Sequence, residues 1–207
     1  MTVIWRNLRR LQREGVPEEL DIQGTINQIC KMGCFLSPVL QSRRKNQVKL
    51  VLLIDCEGSM SPFQILMEAL QASLAKAKFL HNTSVYYFHN CPRGYLFTQP
   101  NLTKPEPIEE ILSQEAYDNR VVIISDAGAA RRTYNSERFN QTQTFIKTLC
   151  GYTYLYGWLN PVPKSQWRTT TAEDIATIVP MYPIDREGLN DLVKILLGYP
   201  FPTGVGL

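Results

Sequence analysis

The chain has 207 residues, 44% of them hydrophobic, which fits one α/β domain with an extension and allows a sizeable core. The net charge of +3 gives no global electrostatic argument for nucleic-acid binding, and no stretch approaches the 18 apolar residues of a membrane span. The charge is uneven, because residues 1–49 carry nine Lys and Arg against four Asp and Glu, and the remainder carries 13 against 15.

Residues 1–47 are predicted to form a short helical N-terminal extension. Residues 1–20 are expected to be helical because apolar side chains recur at helical spacing, at Ile4, Leu8 and Leu11. A second short helix is expected over residues 22–34. The polar segment 41–47 is interpreted as a basic linker that ends the extension.

The extension also concentrates positive charge. A basic helix face is expected from Arg6, Arg9, Arg10 and Arg13, and a cationic loop from residues 43–45. Two interpretations remain open, a solvated surface and a docking patch for an acidic partner.

The cysteines and the N-terminus favour a reducing compartment. The five cysteines are odd in number and scattered, so buried free thiols are favoured over metal ligands, although Cys30 and Cys34 have the spacing of a zinc half-site. The N-terminus is polar and Arg-rich and lacks the apolar segment of a secretory signal. We therefore expect a cytoplasmic protein.

A core domain is predicted over residues 48–197, followed by an irregular tail at 198–207. Strands and helices alternate along it, which predicts a doubly wound α/β fold with a mostly parallel central sheet and helices on both faces. The predicted strands cover residues 48–54, 84–89, 94–98, 120–125, 152–158 and an edge strand at 181–184. The predicted helices cover residues 61–81, 107–116, 137–149, 171–179 and 186–197.

Three local patterns support these elements. Ser61, Pro62 and Gln64 have the spacing of a helix cap, a first-turn proline and a capping box. The last helix has an apolar stripe for the core, formed by Leu189, Leu192, Val193 and Leu196. Aromatic residues at strand spacing are interpreted as one wall of the core, namely Tyr152, Tyr154, Tyr156 and Trp158.

Acids and hydroxyls follow two of the predicted buried strands. Asp55, Glu57 and Ser59 come after the first strand, and Asp126 follows the strand at 120–125. These two strands are expected to lie side by side, so the side chains would meet at one edge of the sheet. Carboxylate and hydroxyl oxygens suit hard divalent cations, so we predict a site for Mg²⁺, or for Ca²⁺ or Mn²⁺, at Asp55, Glu57, Ser59 and Asp126. Residues beside it are predicted to contact a partner, namely Ser61, Ser125, Arg131 and Arg132.

These motifs resemble a known family. Asp55-x-x-x-Ser59 with Ser125-Asp126-x-Gly128 is similar to von Willebrand factor type A (VWA) domains, whose metal-ion-dependent adhesion site has the pattern Asp-x-Ser-x-Ser plus a Thr and an Asp from two further loops. The segments 156–167, 181–183 and 186–189 resemble the CoxE-like branch, so the resemblance covers roughly residues 48–197. It implies a Mg²⁺ site that recruits a carboxylate of a protein partner, and a MoxR-type AAA+ ATPase with its client as that partner.

The chain departs from the family pattern at two places, and two alternatives remain open. Glu57 stands where the family has its first serine, so it would either tighten cation binding or block the incoming carboxylate, and no Gly-Gly-Thr loop is visible. One alternative is a structural VWA subunit with a degenerate metal site. The other is a haloacid-dehalogenase-like, Mg-dependent phosphohydrolase with Asp55 as nucleophile and Glu57 as general acid and base. Since the chain lacks a lysine motif and a later acid pair, a non-enzymatic function is predicted.

Overall fold

A computed structural model describes residues 4–5, 8, 11–46, 49–76, 83–117 and 119–200. The chain divides into two compact units, Met1–Leu8 with Val48–Leu207, and Arg9–Gln47. Ile4, Trp5 and Leu8 were predicted to be part of the extension, but they belong to the larger unit. Ile4, Trp5 and Leu8 are buried in its hydrophobic core, and the Trp5 Nε1–H donates a hydrogen bond to Ser73 Oγ at 2.9 Å.

The smaller unit is a two-stranded antiparallel sheet with one helix. It consists of β1 (Leu11–Leu20), α1 (Ile22–Met32) and β2 (Leu40–Asn46). The predicted helix at 22–34 is confirmed, and it is capped by the Asp21 carboxylate at its start and by Gly33, with φ of 71°, at its end.

Two predictions for the smaller unit are wrong. The predicted helix at 1–20 is a strand from Leu11 onward, and the predicted linker at 41–47 is a strand up to Asn46. Pro17 disfavours a helix, and the strand accommodates it through register shifts in a sheet whose strands are both edges. The predicted basic helix face does not form at Arg13, which pairs in register with Arg44. Arg6, Arg9 and Arg10 lie outside the described residues.

The larger unit contains a seven-stranded sheet. Its strands are β3 (Leu50–Asp55), β4 (Thr83–Phe88), β5 (Tyr95–Phe97), β6 (Pro105–Pro107), β7 (Arg120–Ile124), β8 (Tyr156–Asn160) and β9 (Met181–Pro183). Its helices are α2 (Gln64–Lys76), α3 (Ile108–Ile111), α4 (Ser136–Cys150), α5 (Thr171–Ile178) and α6 (Arg186–Leu196). The strand order is β6-β5-β4-β3-β7-β8-β9, in which β4, β3, β7, β8 and β9 are parallel and β5 and β6 are antiparallel. The predicted α/β fold is confirmed, and β7 lies beside β3 as expected.

Helices cover both faces of this sheet, because successive strand residues point to opposite sides. Val51 and Leu53 of β3 join one core cluster with residues of α3, α4 and α5. Leu50, Leu52 and Ile54 join the other cluster with residues of α2 and α6. The predicted stripe of α6 is confirmed, since its four residues are all buried in this second cluster. None of the helices in the described ranges is long and apolar enough to cross a membrane.

Two strands differ from the sequence prediction. β6 was not predicted. β8 begins at Tyr156 and not at 152, because α4 continues to Cys150 and residues 151–154 form a turn. Tyr156 and Trp158 belong to the predicted core wall, whereas Tyr154 is 80% exposed. The predicted end of the helix at 81 and most of the tail lie outside the described residues.

The predicted capping box at Ser61 is also wrong. Glu57 and Gly58 have left-handed backbone angles, with φ of 66° and 53°, and the chain then makes a 3-10 helix at Gly58–Phe63 that continues into α2. Ser61 therefore lies inside this 3-10 helix, and the Gln64 Nε2 donates to Glu68 Oε1 at 3.2 Å.

Candidate functional site

Asp55 is the centre of the candidate site. It ends β3, is only 3% exposed, and lies where three parallel strands present their carboxyl ends. Its Oδ1 accepts a hydrogen bond from the backbone N–H of Asn90 at 2.8 Å, and its Oδ2 accepts one from Ser125 Oγ at 2.6 Å. The loops after β4 and β7 are thus both joined to this carboxylate.

The loop after β7 is held from two sides. Asp126 is also 3% exposed, and its Oδ2 accepts a hydrogen bond from the backbone N–H of Ala130 at 3.1 Å. From β8, the Asn160 Nδ2 donates to the Asp126 carbonyl at 2.9 Å and the Trp158 Nε1 donates to the Ser125 carbonyl at 2.8 Å. Because these donors come from a buried strand, the second carboxylate is positioned by the core itself.

Burial dominates the electrostatics around Asp55. It raises the pKa of Asp55 to about 6, against the opposing effect of its two hydrogen bonds, and the negative charge of Asp126 adds to the rise. Burial, with the charges of Asp55 and Glu57, raises the pKa of the Cys56 thiol to about 12. The thiol therefore stays protonated at neutral pH, which argues against a cysteine nucleophile here.

The predicted site residues meet only in part. Asp55, Ser125 and Asp126 come together, as expected from neighbouring parallel strands. Glu57 is exposed, Ser59 is half-buried, and in the described structure neither is hydrogen-bonded to Asp55. The described residues include no group of three or more His, Cys, Asp or Glu that could hold a metal ion. The groups that come together are the carboxylates of Asp55 and Asp126 and the hydroxyl of Ser125. Such oxygen ligands suit a hard cation, but no third acidic side chain joins them in the described structure.

The predicted partner-contacting residues divide between surface and interior. Ser61, Arg131 and Arg132 are exposed. Ser125 is fully buried and donates to Asp55, so it can position that carboxylate but offers no surface.

Two site residues were absent from the sequence prediction. Asn90 joins the loop after β4 to Asp55, and its only sequence signal was its place after a predicted strand. Arg138, in the first turn of α4, is 3% exposed, and its Nε and Nη2 donate to Asn90 Oδ1. The sequence around Arg138 contained no signal of a site, since it reads as an ordinary amphipathic helix.

Positive charge also reaches the loops after β3 and β7. A Cβ on Gly128 would lie 2.4 Å from Arg138 Nη1, so the missing side chain is what lets the guanidinium approach this loop. A Cβ on Gly58 would lie 3.2 Å from His89 Cε1 and 3.5 Å from Arg131 Nη2, which places both groups against the loop after β3.

A groove borders the site between the end of β3 and the helix α2. Its volume is about 380 Å³, and it is lined by Asp55, Cys56, Glu57 and Ser61 together with apolar residues such as Met60 and Met67. The groove therefore lies beside the residues that follow β3, while the Asp55 side chain itself stays buried.

Comparison with known proteins finds one family. The family model described as VWA domain containing CoxE-like protein matches residues 1–90, less than half of the chain. This range contains Asp55, Glu57 and Ser59, and it also contains residues 1–47, which the sequence resemblance had left out. No curated protein and no solved structure gives a match. With the mostly parallel sheet and the Asp55–Ser125 hydrogen bond between its strand ends, this match supports a VWA domain protein of the CoxE-like branch.

Proposed function

We propose that this chain is a non-enzymatic, protein-binding VWA module that recognises its partner at the strand-end site around Asp55 and Asp126. The observation that carries the proposal is the hydrogen bond between Ser125 Oγ and Asp55 Oδ2, which joins the two halves of the family motif beside an open groove. Parallel α/β sheets bind their ligands outside the carboxyl ends of adjacent strands, which is where this pair lies.

The proposed cofactor is Mg²⁺, with Ca²⁺ or Mn²⁺ as substitutes. Asp55, Asp126 and the Ser59 hydroxyl would hold it, and Glu57, on the exposed loop, would add negative charge. The cation would supply a coordination position for a carboxylate of the partner. Because the described residues contain no cluster of three acids or other strong ligands, we expect weaker binding than a full ligand set would give.

The proposed partner is a MoxR-type AAA+ ATPase with its client, and the proposed compartment is the cytoplasm. The similarity of residues 1–90 to the CoxE-like branch supports this partner. The exposed side chains of Ser61, Arg131 and Arg132 flank the site and would contact the partner directly. The positively charged segment before residue 49 would offer a second contact to an acidic surface.

The phosphohydrolase alternative has little support from the geometry. The chain lacks the lysine motif and the later pair of acids that this chemistry uses. Glu57, the candidate general acid and base, has φ of 66° and is exposed. Turnover of a generic phosphate ester that is abolished by Asp55→Asn would favour this alternative over a binding module.

Calorimetry and a binding assay test the proposal separately. Titration of Mg²⁺, Mn²⁺ and Ca²⁺ should give heat with the wild type and none with Asp55→Ala or Asp126→Ala, while Asp191→Ala, a half-buried carboxylate on α6 used as matched control, should behave as wild type. Equal heats for wild type and Asp55→Ala would remove the metal claim. Pull-down with the ATPase should weaken in EDTA, and no association in either condition would refute the adaptor role.

A further inference from the structure

The groove between the end of β3 and α2 has an apolar floor and is open to solvent. Met60 and Met67, which are 3% and 7% exposed, line it together with the buried Ile54. Other lining residues are exposed, among them Ser61 and Pro100. Its volume of about 380 Å³ lies within the range of ligand pockets, roughly 300–1,000 Å³. A side chain with an apolar body can therefore enter from solvent and bury that body against the methionines.

The charged side chains that line this groove are all negative. They are Asp55, Glu57 and Glu68, and no lysine, arginine or histidine is found among the described residues that line it. His89 and Arg131 lie against the loop after β3, but neither lines the groove. The N-terminal end of a helix such as α2 adds only about half a positive charge, so the carboxylates dominate and the groove attracts a cation.

Two of these carboxylates have oxygens that a ligand can use. The exposed Glu68 accepts a hydrogen bond from Gln64 Nε2 through Oε1 at 3.2 Å, which holds the carboxylate at the groove, and its Oε2 has no partner in the described structure. The exposed Glu57 carboxylate takes part in none of the salt bridges of the described residues. Asp55 is buried and accepts hydrogen bonds through both oxygens, so it contributes charge and not a contact.

We propose that this groove binds an arginine side chain of the protein partner. Arginine combines an aliphatic stem, which suits the methionine floor, with a guanidinium that carboxylates hold through charge-assisted hydrogen bonds. Tyr87 also lines the groove, and a guanidinium packs on aromatic rings and is less strongly hydrated than the ammonium of lysine. The inference rests on the proposed function in taking a protein as the ligand, and it adds a recognised group of positive charge beside the proposed metal site.

The test titrates the full chain in EDTA with Ac-Leu-Arg-Leu-NH₂ and with a matched peptide in which citrulline, uncharged and of nearly the same shape, replaces the arginine. The readout is the NMR signals of ¹³C-labelled methionine methyl groups. The chain has five methionines, and the signals of Met60 and Met67 are assigned with Met60→Leu and Met67→Leu. We expect saturable shifts of these two signals with the arginine peptide and none with the citrulline peptide, while Met181, in β9, should not shift with either.

Glu68→Gln is the variant that tests the groove itself, because Glu68 lines the groove and is not among the proposed metal ligands. It should weaken binding of the arginine peptide about two- to five-fold, as expected for one exposed charge pair. Glu110→Gln, which removes an exposed glutamate of α3, should leave binding unchanged. Equal shifts with the two peptides, or equal binding by wild type and Glu68→Gln, would overturn the arginine groove. Shifts of the Met60 and Met67 signals that depend on protein concentration without peptide would show that a second copy of the chain fills the groove, and would also overturn it.

Failure of this inference is distinguishable from failure of the proposed function. The heat of Mg²⁺ binding should be the same for wild type and Glu68→Gln. Absence of arginine binding with normal Mg²⁺ heat and ATPase association would remove the groove and leave the proposed function intact. Absence of Mg²⁺ heat and of ATPase association with normal arginine binding would remove the proposed function and not the groove.

Discussion

Asp55→Asn should change how stability depends on pH. The pKa of Asp55 is raised from 3.8 to about 6 in the folded protein, so the folded state binds a proton more tightly than the unfolded state. The contribution of Asp55 to stability is therefore most favourable below pH 4 and is lost as the pH rises through about 6. The difference between a pKa of 3.8 and one of about 6 corresponds to about 3 kcal/mol. Asparagine resembles the protonated carboxyl, so the variant should escape this loss.

Urea unfolding of wild type and Asp55→Asn in EDTA, at intervals from pH 4 to pH 8, measures the effect. The difference in unfolding free energy should change by up to about 3 kcal/mol over this range, in favour of the variant at the higher pH. Any pH-independent change in unfolding free energy that the asparagine amide causes cancels, because only the pH dependence of the difference is compared. A difference between wild type and Asp55→Asn that does not change with pH would refute the conclusion that the Asp55 charge is buried.

Two further predictions address other parts of the molecule. Iodoacetamide at pH 8 should label the exposed Cys30 and Cys34 well before Cys56, because the pKa of the Cys56 thiol is raised to about 12. Mass spectrometry measures the rate at each cysteine, and equal rates would contradict the burial of the Cys56 thiol. Asp185 is the N-cap of α6, and its Oδ1 accepts a hydrogen bond from the backbone N–H of Gly188 at 2.7 Å. Asp185→Ala should therefore lower the unfolding free energy in urea by about 1 kcal/mol, whereas Asp185→Asn should be nearly neutral. Equal losses for the two variants would contradict a capping role.

The larger unit was predictable because each of its parts leaves a strong local signal. The continuous apolar run at residues 50–54 indicates a strand covered on both faces, and the stripe of α6 has unambiguous helical spacing. The smaller unit was not predictable in the same way. Apolar residues at Ile4, Leu8 and Leu11 have helical spacing, yet Ile4 and Leu8 are buried in the larger unit and Leu11 begins a strand. Tertiary packing, and not the helical spacing of apolar residues, therefore determines the structure before and after Leu8.

The candidate site was predictable where it depends on strand order and unpredictable where it depends on loops. Asp55 and Asp126 follow buried strands, so adjacency of β3 and β7 was enough to predict their meeting. Glu57 could not be placed in this way, because its side chain follows a left-handed backbone angle that spacing along the sequence does not reveal. Arg138 enters the site from a helix more than ten residues after Asp126, and only the packing of α4 against the loops brings it there.

Backbone conformation connects the fold to the proposed recognition. Around Asp55, the non-glycine residues Glu57, Asn90 and Ala127 have φ of 66°, 66° and 52°, a conformation that costs of order 1 kcal/mol or more each. Two of them are held by the site itself, since the Asn90 N–H donates to Asp55 and the Ala127 N–H donates to Ser125 Oγ at 3.1 Å. The Asp55–Ser125 pair thus stabilises the loops that carry its neighbours. A partner that binds this rim would meet groups already fixed in place, so little conformational entropy would be lost on association.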